Sequence, residues 1–288
     1  MPGPLLAVDA PSLLYRAFFA LPSSIKGADG HPVNALLGTA NLILFAVERH
    51  DPRAVALCFG AEAAHYRTDA FPAYHADRPP MPDELAHQWE DAPDFFSAFG
   101  WTIHHAGELE ADDLLGSFAT VEEQAGGTAL LFTGDRDMFQ CATDHVSVLY
   151  PRGGKDGPEV IDPDGVRERY GINPEQVPDF IALRGDPSDG LPGAKGIGEK
   201  TARDLLREHG SLDALLEEAH RPVPMLKPRI VGTLTAQADE LRAFHDIASL
   251  RHIDVQRPAD APLDAARAAG AARARGIMRL AERLDALA

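Results

Sequence analysis

Hydrophobic positions in the first half of the chain form short solid runs, separated by longer stretches in which apolar residues recur every three or four places. The runs Leu5–Val8, Ala54–Phe59, Trp101–His105, Ala129–Phe132 and Val146–Leu149 read as strands. Between them Leu13–Ala20, Asn34–His50, Asp83–Gly100 and Ala111–Gln124 carry helical spacing. Alternation of this kind predicts an α/β fold, a mostly parallel sheet with helices on both faces. Ligand sites in such sheets lie beyond the carboxyl ends of the strands. After Tyr150 the pattern changes. PRGGKDGPE reads as a loop, DPDGVRERYG and NPEQVPDFIALRG as short helices opened by Asp and Asn, and Lys200–His209 as a helix behind a Gly-rich turn. From about Ala219 the tail, rich in Ala and Arg, reads as helical, with proline breaks near 222–228 and 258–262. No strand pattern returns, so the expected division is a sheet domain over 1–165 and a helical domain over 166–288.

Composition narrows the chemistry. The 288 residues are 45% hydrophobic, enough for real cores, yet 44 acidic residues against 27 basic ones leave a net charge of −17. That balance argues against a passive coat for nucleic acid, but not against acids that serve as metal ligands. Cys58 and Cys141 sit in apolar runs without paired spacing, which disfavours a disulfide framework or zinc site and suits a reducing, cytoplasmic setting. No run approaches the ~18 apolar residues of a membrane span. The first residues lack a basic leader and carry Asp9, so they do not read as a secretory signal.

The acids are placed in a pattern. LLAVD ends a strand on Asp9, and GELEADDLLG opens a helix with Glu108, Glu110, Asp112 and Asp113. LLFTGDRDMF follows a strand with Asp135 and Asp137, and RGDPSDGLPG puts Asp186 and Asp189 in a loop. Singly, these are ordinary features: a helix cap, a solvated helix start, a turn. A helix N-terminus stabilises a carboxylate by only about 0.3–1 kcal/mol, too little to gather many in one place. If the four segments converge, cations must offset their repulsion, and oxygen-only ligands select Mg²⁺ or Mn²⁺ over Zn²⁺. Two such ions ~4 Å apart form a phosphoryl-transfer site.

The order LLAVDAPSLLYRAFFALP, YRTDAFPAYHADRPPMP, GELEADDLLG, LLFTGDRDMFQ and IALRGDPSDGLPGAKGIGEKTA, spanning roughly 5–217, resembles the 5′-nuclease (flap endonuclease) family. That family includes the 5′→3′ exonuclease domain of bacterial DNA polymerase I, of which this chain looks like a free-standing relative. The resemblance implies a PIN-like sheet domain and a helical domain carrying a helix–hairpin–helix element near 185–210. It implies Mg²⁺-dependent hydrolysis of DNA near 5′ ends, flaps or single-strand/duplex junctions, with Mn²⁺ able to substitute, in a monomer. Asp9, Glu110 and Asp112 would hold one metal. Asp135, Asp137, Asp186 and Asp189 would hold or water-bridge a second, with Asp113 shared or behind them. GAKGIGEKTA looks like the hairpin element, where a K⁺ ion can sit. Gly193, Gly196 and Gly198 would let the backbone approach a phosphate, and Lys195, Lys200, Thr201, Arg203 and Arg207 would line the duplex. The segment near 66–95 resembles the family's arch, with Arg67 and Arg78 on phosphates and Tyr74 or Phe71 stacking or packing.

Two positions depart from the family pattern. Phe59 is followed by Gly60 where the family has an acid, with Glu62 two residues on, and His75 stands where the arch usually carries a lysine. A neutral imidazole clamps a phosphate more weakly, and its protonation near pH ~6.5 would favour mildly acid conditions. These departures keep in view a weakened paralogue that binds branched DNA, and the acidic sheet alone equally suits a structure-dependent ribonuclease. The spacing from Gly193 imitates a nucleotide-binding loop, but Glu199 occupies the lysine position. A phosphatase with a nucleophilic Asp-x-Asp is disfavoured by Asp9-Ala10-Pro11.

Overall fold

The computed structural model describes residues 3–152 and 157–288. The sheet domain comprises β1 (Leu5–Asp9), α1 (Ala10–Ala20), α2 (Asn34–His50), β2 (Ala54–Phe59), α3 (His65–Ala70), α4 (Asp83–Ser97), β3 (Thr102–His105), α5 (Ala111–Gln124), β4 (Ala129–Phe132), β5 (Val146–Tyr150) and β6 (Glu159–Ile161). The helices that follow are α6 (Pro163–Tyr170), α7 (Val177–Arg184), α8 (Glu199–His209), α9 (Leu212–Ala219), α10 (Pro228–Ala236), α11 (Ala238–Ala248), α12 (Ala265–Ala274) and α13 (Met278–Asp285).

The strand order is β3-β2-β1-β4-β5-β6, parallel from β3 through β5. The five runs read as strands are thus neighbours in one sheet. A sixth strand, β6, pairs antiparallel to β5, correcting the expectation that no strand follows Tyr150. Three residues at a sheet edge give no periodicity to read. The predicted loop PRGGKDGPE lies partly outside the described residues, at 153–156, and its Glu159 already belongs to β6. Two helix bounds also move. The first helix begins at Ala10, capped by Asp9, and α4 ends at Ser97 rather than Gly100.

Successive residues of β1 face opposite cores, as the two-residue strand period requires. Leu5 and Ala7 pack with α5 and the helices α7, α8, α9 and α11, while Leu6 and Val8 pack with α1, α2, α4, α12 and α13. Both faces are therefore dry, which is why these strands are solidly apolar. Residues 249–264 form an irregular strap along α5. The Arg251 and Ile253 N–H groups donate to Asp113 Oδ1 (2.6 Å) and Ser117 Oγ (2.9 Å), and Arg257 pairs with buried Glu122 (2.8 Å). Arg53, also buried, pairs with Glu122 and with Asp260. The strap delivers α12 and α13 to the opposite face, where Arg275 pairs with Asp91 and Asp94 of α4, and Arg283 with Glu48 of α2.

Chain order reverses direction at β1, whose neighbours are β2 and β4. The crevice beyond the carboxyl ends of β1 and β4 is the expected ligand position in such a sheet. Asp9 ends β1, and Thr133-Gly134-Asp135 follows β4 directly.

Candidate metal centre

Four segments meet at that crevice. Asp9 does two jobs for the chain: Oδ1 accepts the Ser12 N–H at 3.0 Å as the cap of α1, and Oδ2 accepts the Thr133 hydroxyl at 2.6 Å. Thr133, wholly buried, also accepts the Asp135 N–H at 3.0 Å, and Ser12 Oγ accepts the Gly134 N–H at 3.0 Å. The β4–Asp135 turn is thereby fastened to the β1–α1 junction. Asp135 Oδ1 accepts the Asp137 N–H at 2.8 Å. Asp186 turns back on itself, accepting from Ser188 N–H (2.8 Å), and its loop is closed by mutual backbone bonds with Leu191 of 2.9 and 2.8 Å. Asp189 Oδ1 meets His75 Nε2 at 3.0 Å and accepts from Arg78 at 3.1 Å.

Electrostatics show which acids converge. Asp112 is held well above the usual carboxylate range by burial and by repulsion from Asp135 and Asp9. Burial, with repulsion from Asp189, Asp9 and Asp186, pushes Asp135 up to about 6. Asp137 is raised by burial and by Asp135, Asp189 and Asp186, and Asp9 by burial with Glu110 adding repulsion. Desolvation and like charge are the two forces that disfavour an ionised carboxylate, and both act here on side chains far apart in the chain. Asp9, Asp112, Asp135, Asp137, Asp186 and Asp189 form one field.

Among the described residues no three acidic, His or Cys side chains stand close enough to hold an ion by themselves. The donors are carboxylate oxygens only. This fits Mg²⁺ or Mn²⁺ bound through one or two carboxylates with water completing the shell, and does not fit a closed zinc cage.

Other expected site residues sit elsewhere. Arg67 and Tyr74, expected on DNA, are buried at 3% and 4% exposure, because the Arg67 guanidinium pairs with Glu110 at 2.6 Å between the Tyr66 and Tyr74 rings. Phe71 packs edge-on against Phe244. Glu110 and Asp113 are spent within the protein: they cap α5 reciprocally, and Asp113 also holds the Arg251 N–H. Glu62 is exposed, and its carboxylate accepts from the Tyr15 hydroxyl at 3.4 Å. His75 adopts a left-handed backbone (φ 56°) with Nδ1 2.9 Å from the Glu62 carbonyl and Nε2 on Asp189. Its ring is an arch tether rather than a free clamp.

At the hairpin, Lys195, Gly196, Gly198 and Lys200 are exposed, Thr201 and Arg203 half-buried, and a Cβ on Gly198 would meet nothing. Gly193 serves a different purpose from the one expected: at φ 68° it lies against the backbone of Arg184 and Gly185, so it closes the turn inward. Arg203 pairs with Asp204. Three residues from the tail, unmarked in the sequence, brace this element. Arg229 donates to the Gly196 carbonyl (2.8 Å), Gln237 accepts the Lys195 N–H (2.8 Å), and Thr233 donates to the Lys195 carbonyl (3.2 Å). Ser12 and Thr133 were also missed, although Ser three residues after a strand-end Asp is a capping pattern.

The model of the 5′-3′ exonuclease N-terminal resolvase-like domain matches residues 4–171, and that of the 5′-3′ exonuclease C-terminal SAM fold matches 172–272. Thermostable DNA polymerase I of Thermus thermophilus is 39% identical over 249 residues, covering 86% of this chain and 29% of the polymerase. DNA polymerase I of Mycobacterium tuberculosis is 41% identical over 214 residues, 74% of this chain and 24% of that one. The chain thus spans less than a third of the length of these relatives. Among solved structures, T5 5′-exonuclease with bound zinc ions superposes with a TM-score of 0.71 at 17% identity, covering 97% of this chain and 96% of that one. The catalytic core of Rad2 in complex with DNA substrate gives 0.64 at 13% identity, covering 98% and 91%. These two establish a shared fold. With both domain models matched in order from residue 4 to residue 272, the chain belongs to the 5′-3′ exonuclease family.

Proposed function

We propose that this chain hydrolyses DNA phosphodiesters near 5′ ends or single-strand/duplex junctions by a two-metal mechanism, with Mg²⁺ as the natural ion and Mn²⁺ able to replace it, leaving a 5′-phosphate. One observation carries this reading: aspartates from four segments share a crevice in which burial and mutual repulsion hold Asp9, Asp112, Asp135 and Asp137 above the usual carboxylate range, with Asp186 and Asp189 among the repelling charges. Uncompensated, that arrangement is costly. Asp9, Asp112 and Asp135 would hold one ion, and Asp137, Asp186 and Asp189 the other, each through one or two direct carboxylates and otherwise through bridging water. Bound divalent ions would activate water and stabilise charge on the reacting phosphate. The protein's own contribution is orientation: Thr133 fixes Asp9 relative to Asp135, and Arg78, half exposed beside Asp189, offers a guanidinium to the strand.

The exposed lysines of the hairpin, with K⁺ bound in it, would grip the duplex through phosphates. Lys195→Ala and Lys200→Ala are each expected to weaken binding evenly across sequences and to lower the slope of log affinity against log salt by about 1. A loss confined to one sequence would assign those lysines a different role.

A 5′-labelled flap oligonucleotide incubated with Mg²⁺ or Mn²⁺ tests the whole reading. The expected result is a short labelled product that chelator abolishes. A second reading, binding of branched DNA without cutting, draws on Gly60, whose neighbourhood leaves no room for the family's acid. Tight binding with no product in either metal selects it. Cleavage of an RNA flap in preference to its DNA counterpart would instead make the chain a ribonuclease.

A further inference from the structure

Glu110 is engaged on every side. Its Oε2 takes Arg67 Nη1 at 2.6 Å, its Oε1 accepts the Ala64 N–H at 2.8 Å, and the Tyr74 hydroxyl reaches both oxygens at 3.2 and 3.3 Å. The Arg67 and Glu110 side chains are 4% and 9% exposed. The guanidinium stands 5.3 and 5.9 Å from the Tyr66 and Tyr74 ring centres and 3.7 Å from Asp113. Separating such a pair leaves two unpaired buried ions, so a divalent ion cannot draw Glu110 away cheaply. Asp112, two residues along, is wholly committed to the crevice by charge: Asp135 and Asp9 repel it most, with Arg67 and Glu110 acting more weakly.

The adjoining chain is equally committed. A Cβ on Gly60 would lie 2.5 Å from the Glu110 carbonyl carbon and 2.7 Å from the Leu109 oxygen, and the Ala61 N–H donates to that same oxygen at 2.9 Å. Residues 59–67 therefore lie flat on the start of α5. From this base the arch runs to the Asp189 loop, where the His75 N–H donates to the Asp189 carbonyl at 3.2 Å.

We propose that Glu110 is, in this chain, the seat of the arch and not a metal carboxylate, and that Arg67 is the positioning residue that fixes the arch root through it. The first ion then rests on Asp9, Asp112 and Asp135 with bridging water, and not on Glu110. This rests on the metal-dependent reading of the cluster and changes which residues carry it.

The test uses the whole protein stripped of metal. Mn²⁺ is titrated in and free ion read by electron paramagnetic resonance, while hydrogen exchange is followed at amides 64–78. Glu110→Gln should keep Mn²⁺ affinity within about twofold of the parent, whereas Asp112→Asn should lose about tenfold or more. Arch amides should exchange about tenfold faster in Glu110→Gln and in Arg67→Lys, and at the parent rate in Asp112→Asn. Mn²⁺ affinity in Glu110→Gln falling as far as in Asp112→Asn overturns the proposal. So does unchanged exchange in both arch-root variants. If Glu110→Gln fails to fold by circular dichroism, Arg67→Lys, which keeps the charge but loses the fork, carries the exchange comparison and the affinity comparison alike. A parent that binds no Mn²⁺ removes the metal reading, while the exchange result still judges Glu110 as the seat.

Discussion

Asp135→Asn should abolish cleavage and, at the same time, make the metal-free protein more stable. The Asp135 carboxyl is pushed up to about 6 by burial and by its acidic neighbours, against about 3.9 in an unfolded chain. The sign follows from linkage. A carboxyl whose pKa is higher in the folded state favours folding most below the unfolded value and loses that contribution as pH rises through the folded one. At pH 8 the ionised side chain therefore opposes folding by roughly 3 kcal/mol. Asparagine removes the charge and can still accept the Asp137 N–H. Calorimetry in chelator at pH 8 should show the variant melting roughly 4–8 °C above the parent, with the gap closing as pH falls towards about 4. Excess Mg²⁺ should reverse the order, because ligand stabilises only the protein that binds it. Cleavage should fall by about a thousandfold or more, the loss expected when a metal site worth several kcal/mol is broken. A variant less stable than the parent at pH 8 in chelator would mean the acids do not oppose one another.

Gly60→Asp should lower both stability and activity, although it restores the acid that family members carry there. The obstacle is backbone. A Cβ at residue 60 would run into the Ala111 amide as well as the Glu110 carbonyl carbon, and no rotamer of a neighbour can make room. Relief requires moving the start of α5, which carries Asp112. Overpacking of this kind costs about 1–3 kcal/mol, and displacing a site by about 1 Å can cost a hundredfold in rate. Thermal melts and single-turnover cleavage measure the two effects. A variant that matched the parent in melting temperature and cut faster would show that the first site lacks only this carboxylate.

Much of this architecture was legible in the residues. Solidly apolar runs such as Leu5–Val8 and Ala54–Phe59 marked a doubly covered sheet, because strands dry on both faces cannot alternate. The acids at strand ends and helix starts marked the crevice for the same geometric reason. β6 was illegible because an edge strand of three residues has too few positions to carry a period. The roles of Glu110 and Arg67 were illegible for another reason. The first acid of EADD and an arginine in an arch look alike whether they face solvent, metal or each other, and only packing decides. The same holds for Arg229, Thr233 and Gln237, which reach the hairpin from 33 to 42 residues away in the chain.

The direct measurement is anomalous diffraction from a crystal soaked in Mn²⁺. The account predicts two peaks in the crevice beyond β1 and β4, one against Asp9, Asp112 and Asp135, the other against Asp137, Asp186 and Asp189. A crevice without manganese at millimolar concentration, or ions bound only at unrelated surface acids, would contradict it.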